Sequence, residues 1–144
     1  MEKVDGETIT DNITGNNTMN EKNLIKIIDG ILDAIDFLHR RNTIHKDIKP
    51  GNIMIKKNGQ PVLIDFGTAK QTQNVQSIQE QQTITYTPDW TCHHQTEGHA
   101  SPQCDIYALG RTMFFMSTRQ GPAKHTKGFK MTSTIRKLNP NFSQ

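Results

Sequence analysis

The 144-residue sequence has no long apolar run, no arginine-rich segment and few aromatic residues. A membrane span needs ~18–20 consecutive apolar residues, and nucleic-acid surfaces combine clustered basic residues with aromatic residues that stack on bases. Aromatic residues make up only 6% of the chain, and the net charge is only +3. These absences argue against a membrane protein and against a nucleic-acid-binding surface.

Cysteine is also scarce, and the N-terminal residues do not have the pattern of a signal peptide. A chain without an export signal is expected to stay in the cytoplasm, where thiols are kept reduced. The two cysteines and three nearby histidines form a possible metal cluster: Cys92, His93, His94, His99 and Cys104. Adjacent Cys-His-His ligands seldom match standard zinc spacing, so we do not expect zinc there.

Hydrophobic residues are limited as well, at 33% of the chain, and the mean hydropathy is −0.68. The length predicts one domain, and the composition predicts a thin core. The apolar residues are clustered and the net charge is small, which argues against a chain that is disordered throughout.

The strongest secondary-structure signal is an amphipathic helix over residues 21–41. Its apolar residues follow the i, i+3, i+4, i+7 spacing of a helix: Leu24, Ile27, Ile28, Ile31, Ile35 and Leu38. Ile25, Leu32 and Phe37 widen this stripe and predict burial on more than one side. Asn20 is the expected N-cap. Gly30 costs about 1 kcal/mol relative to alanine in a helix, which indicates close packing at that position.

A second helix is expected over about residues 103–117, with four apolar residues on one face: Ile106, Leu109, Met113 and Met116. Between the two helices, apolar runs at 53–55 and 62–64 flank Asn58-Gly59, a pair typical of a tight hairpin turn. Such a hairpin would hold Asn52 and Asp65 side by side at its open end.

Four polar residues on and before this hairpin have the chemistry of a phosphoryl-transfer site. Asn52 and Asp65 offer the hard oxygen ligands that Mg²⁺ prefers. Asp47 can orient a hydroxyl group and accept its proton, and Lys49 can stabilise charge on a transferring phosphate. Each residue alone is compatible with an ordinary polar turn. Their combination and spacing favour catalysis.

These motifs resemble the large lobe of a serine/threonine protein kinase of the bacterial type. The segment His45-Lys46-Asp47 resembles the family's catalytic loop, and Asp65-Phe66-Gly67 matches its metal-binding triplet. A lysine two residues after the aspartate, here Lys49, resembles the serine/threonine branch. Asp105 resembles the aspartate that opens the family's central helix and braces the catalytic loop. Residues 1–6 resemble the hinge, which implies that Glu2 and Val4 bind adenine.

The resemblance implies an α+β fold, mainly α, in the form of an incomplete kinase-like large lobe with a catalytic-loop hairpin. Residues 1–20 would form a hinge-like segment, 21–118 the catalytic core and 119–144 a truncated C-terminal part. The implied catalytic residues are Asp47 and Lys49. The implied metal ligands are Asn52 and Asp65, which also bind the nucleotide. ATP and Mg²⁺ are the implied cofactors, and a protein substrate is the implied partner.

One departure from the family leaves the function open. The 144 residues contain no glycine-rich phosphate loop and no lysine on a preceding strand. We therefore expect the small lobe to be missing, and a separate chain that bears it is a possible partner. The alternative is a catalytically inactive kinase fragment that acts as a binding or regulatory module, or a gene remnant. A small-molecule kinase of related fold is a third possibility, which Pro50 and Asp105 disfavour.

Overall fold

The computed structural model describes residues 5–13, 19–65, 70–71 and 90–120. The elements in chain order are β1 (Gly6–Thr8), α1 (Ile9–Asn12), α2 (Glu21–His39), β2 (Thr43–Ile44), a 3₁₀ turn (Pro50–Asn52), β3 (Ile53–Lys56), β4 (Pro61–Leu63), β5 (Lys70–Gln71), α3 (His93–Thr96) and α4 (Pro102–Thr118). The expected adenine-binding residues Glu2 and Val4, and Phe66 and Gly67 of the triplet, lie outside the described residues. Helices and a small antiparallel sheet match the expected α+β class.

Helix α2 begins where the sequence predicts. The side chain of Asn20 accepts a hydrogen bond from the amide of Asn23 at 2.9 Å, which satisfies one of the free donors of the first turn. The helix ends at His39, two residues before the predicted end, and Arg40 and Arg41 continue as a turn.

The predicted burial of α2 on more than one side is wrong. Ile25, Leu32 and Phe37 are 51%, 40% and 55% exposed. Each helical residue is rotated by about 100° from the one before it, so Ile25 and Leu32 turn away from the buried residues that precede them. Phe37 lies under the guanidinium of Arg41, whose centre is 3.5 Å from the ring centroid. This stacking gives an exposed aromatic ring a partner without burial.

The described strands form two sheets, a three-stranded one of order β1-β3-β4 and a two-stranded one of β2 and β5, and every pair is antiparallel. The β3–β4 hairpin is confirmed, with Ile53 opposite Leu63. The amide of Gly59 donates to the carbonyl of Lys56 at 2.8 Å. Gly59 has a φ of 82°, and Asn58 is not among the described residues with positive φ. The bond from Gly59 to Lys56 closes a β-turn, and Gly59 follows its two central residues in the left-handed conformation. The tight turn predicted at Asn58-Gly59 is confirmed, with Gly59 as its left-handed residue.

Gly30 lets α2 approach the hairpin closely. A Cβ atom at Gly30 would lie 2.5 Å from Cγ of Pro61 on β4. The close packing predicted from this glycine is confirmed. The buried side chains between α1, α2, the hairpin and α4 form one core: Ile9, Ile13, Leu24, Ile27, Ile31, Ile35, Ile48, Ile53, Leu63, Ala108, Leu109 and Met116.

Helix α4 extends one residue beyond the prediction at each end. Leu109 and Met116 are buried in the core and Met113 packs against it, as the periodicity predicts. Ile106 is 48% exposed, so its predicted place on the buried face is wrong. In the first turn the residues that turn inward are Cys104 and the polar Asp105, which are 3% and 1% exposed.

The prediction of reduced thiols is wrong in this structure, because Cys92 and Cys104 form a disulfide. Their Cα atoms lie 5.3 Å apart, within the range that a disulfide requires. The absence of an export signal predicts only the compartment. Whether the two cysteines pair depends on how closely the start of α3 approaches the start of α4. Both sulfur atoms are engaged, so neither is available as a zinc ligand. No described helix combines the length and apolarity needed to cross a membrane.

Candidate active site

The loop between β2 and β3 brings together three of the predicted site residues. Nζ of Lys49 lies 3.1 Å from Oδ2 of Asp47. The side-chain amide of Asn52 donates to the same Oδ2 at 2.9 Å and to the main-chain carbonyl of Asp47 at 2.8 Å. Ile48, between the two charged residues, is buried in the core and anchors the loop. The Asp47 carboxylate is therefore held by one cation and one amide.

Asn52 makes hydrogen bonds to the loop through both its main chain and its side chain. It is buried and ends the 3₁₀ turn, where its main-chain amide donates to the carbonyl of Lys49 at 2.9 Å. Both side-chain N–H groups are directed to Asp47, so Oδ1 is the atom of Asn52 that can accept a cation. The same residue thus orients the Asp47 carboxylate and carries an oxygen of the type that hard cations bind.

Asp105 holds the main chain of the loop from the far side. Its Oδ2 accepts the amide of His45 and its Oδ1 accepts the amide of Lys46, both at 2.9 Å. Nε2 of His39 lies 2.8 Å from Oδ2. A buried carboxylate needs such partners to offset its lost hydration. The bracing role that the resemblance implies for Asp105 agrees with this geometry.

His45 links the loop to the strand that leads to Asp65. The ring accepts the amide of Asp47 at Nδ1, at 3.2 Å, and Nε2 lies 3.2 Å from the carbonyl of Ile64. An amide can only donate and a carbonyl can only accept, so the proton belongs on Nε2. The amide of Ile64 donates in turn to the carbonyl of Asn52 at 2.9 Å. Both main-chain groups of Ile64 are thus tied to the loop, and Asp65 follows directly.

Two residues of the site have left-handed backbones. Lys46 has a φ of 71° and Asp65 a φ of 61°, and neither is glycine. Such conformations cost free energy, and in folded proteins they cluster where function requires a particular side-chain direction. Lys46 directly precedes Asp47, and Asp65 is itself a predicted metal ligand, which supports a functional reading of these two positions.

Gln95 is a site residue that the sequence reasoning missed. It is buried on α3, and its side-chain amide donates to the carbonyl of Lys46 at 2.7 Å. His39, at the end of α2, was missed as well. A single glutamine in a polar segment and a histidine at a helix end carry no recognisable sequence signal. Their contacts arise only from the packing of α2, α3 and α4.

The donor set fits a hard divalent cation bound with a nucleotide. Asn52 and Asp65 provide oxygen ligands at the open end of the hairpin, and Mg²⁺ commonly takes one or two carboxyl or amide oxygens with phosphates and water. The structure brings Asp47, Lys49 and Asn52 into contact and places Asp65 two residues beyond the last pair of the hairpin, Ile53 with Leu63.

Comparison with known proteins identifies one matching family model, described as "Protein kinase domain", over residues 1–143. A probable serine/threonine-protein kinase PknB of Bifidobacterium longum is 32% identical over 124 residues, which are 85% of this chain and 18% of the relative. The PknB of Lactococcus lactis is 35% identical over 123 residues, covering 85% and 20%. The serine/threonine-protein kinase PrkC of Bacillus subtilis is 32% identical over 123 residues, covering 85% and 19%.

The chain spans about a fifth of the length of these curated relatives.

Proposed function

Since this chain belongs to the protein kinase family, we propose that it carries the catalytic part of a serine/threonine protein kinase, which transfers the γ-phosphoryl group of ATP to a hydroxyl group of a protein. The observation that carries the proposal is the pinned Asp47 carboxylate, held by Lys49 at 3.1 Å and Asn52 at 2.9 Å. A hydrogen-bonded surface turn has no need of a buried asparagine and a buried brace on its far side.

Asp47 would orient the substrate hydroxyl and accept its proton. The side chains of Asp47 and Lys49 are 12% and 28% exposed, so they are partly desolvated and still reachable by a substrate. Partial desolvation strengthens the attraction between a charged side chain and charge that develops during transfer. Lys49 would therefore offset negative charge on the phosphoryl group while it keeps the Asp47 carboxylate oriented.

Asn52 and Asp65 would hold Mg²⁺ through their side-chain oxygens. When bound, Mg²⁺ and ATP supply the phosphoryl group and neutralise its charge. Glu2 and Val4 are proposed to contact the adenine, as the resemblance of residues 1–6 to the hinge implies. A protein with serine or threonine at the acceptor position is the proposed substrate, and a cytoplasmic location is part of the proposal.

The glycine-rich loop that grips phosphates is not within these 144 residues. Each contact of that kind contributes a factor of about 10²–10³ to rate. We therefore expect the 144-residue chain by itself to bind ATP weakly and to turn over slowly. A small lobe, from the same polypeptide or from another chain, is proposed to complete the site.

The test is a transfer assay with the natural polypeptide that contains these residues, purified from its own cells. It would be incubated with Mg²⁺ and ATP labelled in the γ-phosphate, together with a degenerate peptide library. The proposal expects label on serine and threonine, dependent on Mg²⁺, and no transfer from ATP labelled in the α-phosphate. Label confined to tyrosine, or no Mg²⁺-dependent transfer, would contradict it.

A further inference from the structure

The disulfide joins the two helices that hold the catalytic loop. Cys92 is the N-cap residue of α3, three residues before Gln95, and Cys104 directly precedes Asp105 on α4. Gln95 donates to the carbonyl of Lys46, and Asp105 accepts the amides of His45 and Lys46. The sulfur bond therefore connects two supports of one short stretch of main chain.

The two supports differ in what else holds them. Helix α4 has 17 residues and contributes buried side chains to the core, so Asp105 does not depend on the disulfide. Helix α3 has four residues, which is far too short to be stable without tertiary contacts. Its first turn is capped by the Cys92 sulfur, which accepts the amide of Gln95 at 3.4 Å.

We propose that Cys92 and Cys104 form a redox modification site whose oxidation state sets how firmly Gln95 holds the catalytic loop. In the oxidised state α3 is tied to α4, and Gln95 stays at the carbonyl of Lys46. In the reduced state α3 separates from α4 more readily, and the loop loses the Gln95 contact while the contacts of Asp105, His45 and Asn52 remain. The consequence for catalysis rests on the proposed kinase function, whereas the effect on the loop does not.

The chemistry is thiol–disulfide exchange with a small-molecule disulfide such as oxidised glutathione. The thiolate of one cysteine attacks a sulfur of the small disulfide and expels one thiolate, which forms a mixed disulfide. The thiolate of the second cysteine then attacks the sulfur of the first cysteine in the mixed disulfide and expels the second small-molecule thiolate. Two protein thiols are oxidised, one small disulfide is reduced to two thiols, and the protons pass to the released thiolates. Cys92, 9% exposed against 3% for Cys104, is the more accessible sulfur.

In the proposed cytoplasmic location, such a pair would be regulatory. Disulfides of proteins in the cytosol are usually transient and act in catalysis or redox sensing. The pair closes a short stretch of chain, with a sequence separation of 12. Both cysteines can therefore meet again after reduction without refolding of the core, provided that α2, the hairpin and α4 stay in place.

The test measures the oxidation state of the two cysteines and the hydrogen exchange of the loop in the same samples of the full 144-residue chain. Samples would be equilibrated in glutathione buffers from reduced to oxidised, and the paired fraction would be read by alkylation and mass spectrometry. Amide hydrogen exchange of a peptide that contains His45 and Lys46 would be measured in the same samples. We expect both redox states to be reached and exchange to be about fivefold slower in the oxidised state, in keeping with one hydrogen bond gained.

Two variants separate the proposed coupling from a general loss of structure. In Cys104→Ala, exchange in every buffer should match that of the reduced wild type. Gln95→Met keeps the length of the side chain and removes the amide that donates to Lys46. In this variant the cysteines should still be oxidised and reduced by glutathione, but hydrogen exchange of the loop should no longer depend on their oxidation state. Circular dichroism checks that each variant retains its helices.

Several results would overturn the inference. These are a pair that stays oxidised in reduced glutathione, a pair that never forms, and wild-type loop exchange that is equal in both states. Because the readout is hydrogen exchange, failure here leaves the phosphoryl-transfer assay to decide the proposed function separately.

Discussion

The Asp105 carboxylate accepts the main-chain amide of His45 at 2.9 Å across a sequence separation of 60 residues. The same carboxylate accepts the amide of Lys46. The position of Asp47 therefore depends on a residue in a distant helix as well as on its neighbours in the loop.

The first prediction concerns this brace. Asp105→Ala leaves two amides near the buried position without their acceptor, and each such loss costs about 1–3 kcal/mol. We expect the free energy of unfolding to fall by about 2–4 kcal/mol, measured by urea denaturation. Asp33→Ala, at an exposed position of α2, is the matched control and should change stability by less than about 0.5 kcal/mol. An equal loss of unfolding free energy in the two variants would contradict the role of Asp105 in holding the loop.

The second prediction uses two helical glycines with opposite surroundings. Gly30→Ala should destabilise the protein by about 1–3 kcal/mol, because the new methyl group would overlap the ring of Pro61. A Cβ at Gly110 meets no described atom within 4 Å. Gly110→Ala should therefore stabilise the protein by up to about 1 kcal/mol through helix propensity. The two midpoints of thermal unfolding should move in opposite directions, and a shift of both to higher temperature would contradict the packing described.

The third prediction concerns Asn52, which orients Asp47 and is a proposed ligand of Mg²⁺. Asn52→Ala removes the two hydrogen bonds to Asp47 and the oxygen Oδ1. We expect the Mg²⁺ concentration for half-maximal activity to rise by about 10–100-fold, the range seen when metal-site residues are lost. The measurement is transfer rate against Mg²⁺ concentration for the natural polypeptide. Asn58→Ala, in the hairpin loop, is the control and should leave the Mg²⁺ dependence unchanged.

An unchanged Mg²⁺ dependence in Asn52→Ala would place the metal elsewhere. A similar rise in both variants would indicate that the hairpin as a whole had been disturbed.

Local patterns predicted much of this structure. The cap at Asn20, the buried stripe of α2 and the hairpin all depend on neighbouring residues. Gly30 predicted a close contact, because a glycine inside a helix lowers stability and therefore indicates a position where a larger side chain does not fit.

The failures concern contacts between distant segments. The width of the buried face of α2 depends on what packs beside it, so Ile25 and Leu32 were misjudged. The pairing of Cys92 with Cys104 and the contact of Gln95 with Lys46 depend on the approach of α3 to α4 and to the loop. Such contacts between segments leave no periodicity in the sequence.

The central claim is that the Asp47 carboxylate serves phosphoryl transfer, and Asp47→Asn tests it most directly. The natural polypeptide and this variant would be compared in initial rate of γ-phosphoryl transfer, with Asp33→Asn as the control. We expect Asp47→Asn to lower the rate by about 10²–10⁴-fold, since the variant cannot accept the hydroxyl proton. Asp33→Asn should match the wild type. An Asp47→Asn protein that keeps its fold and transfers phosphate at the wild-type rate would contradict the account.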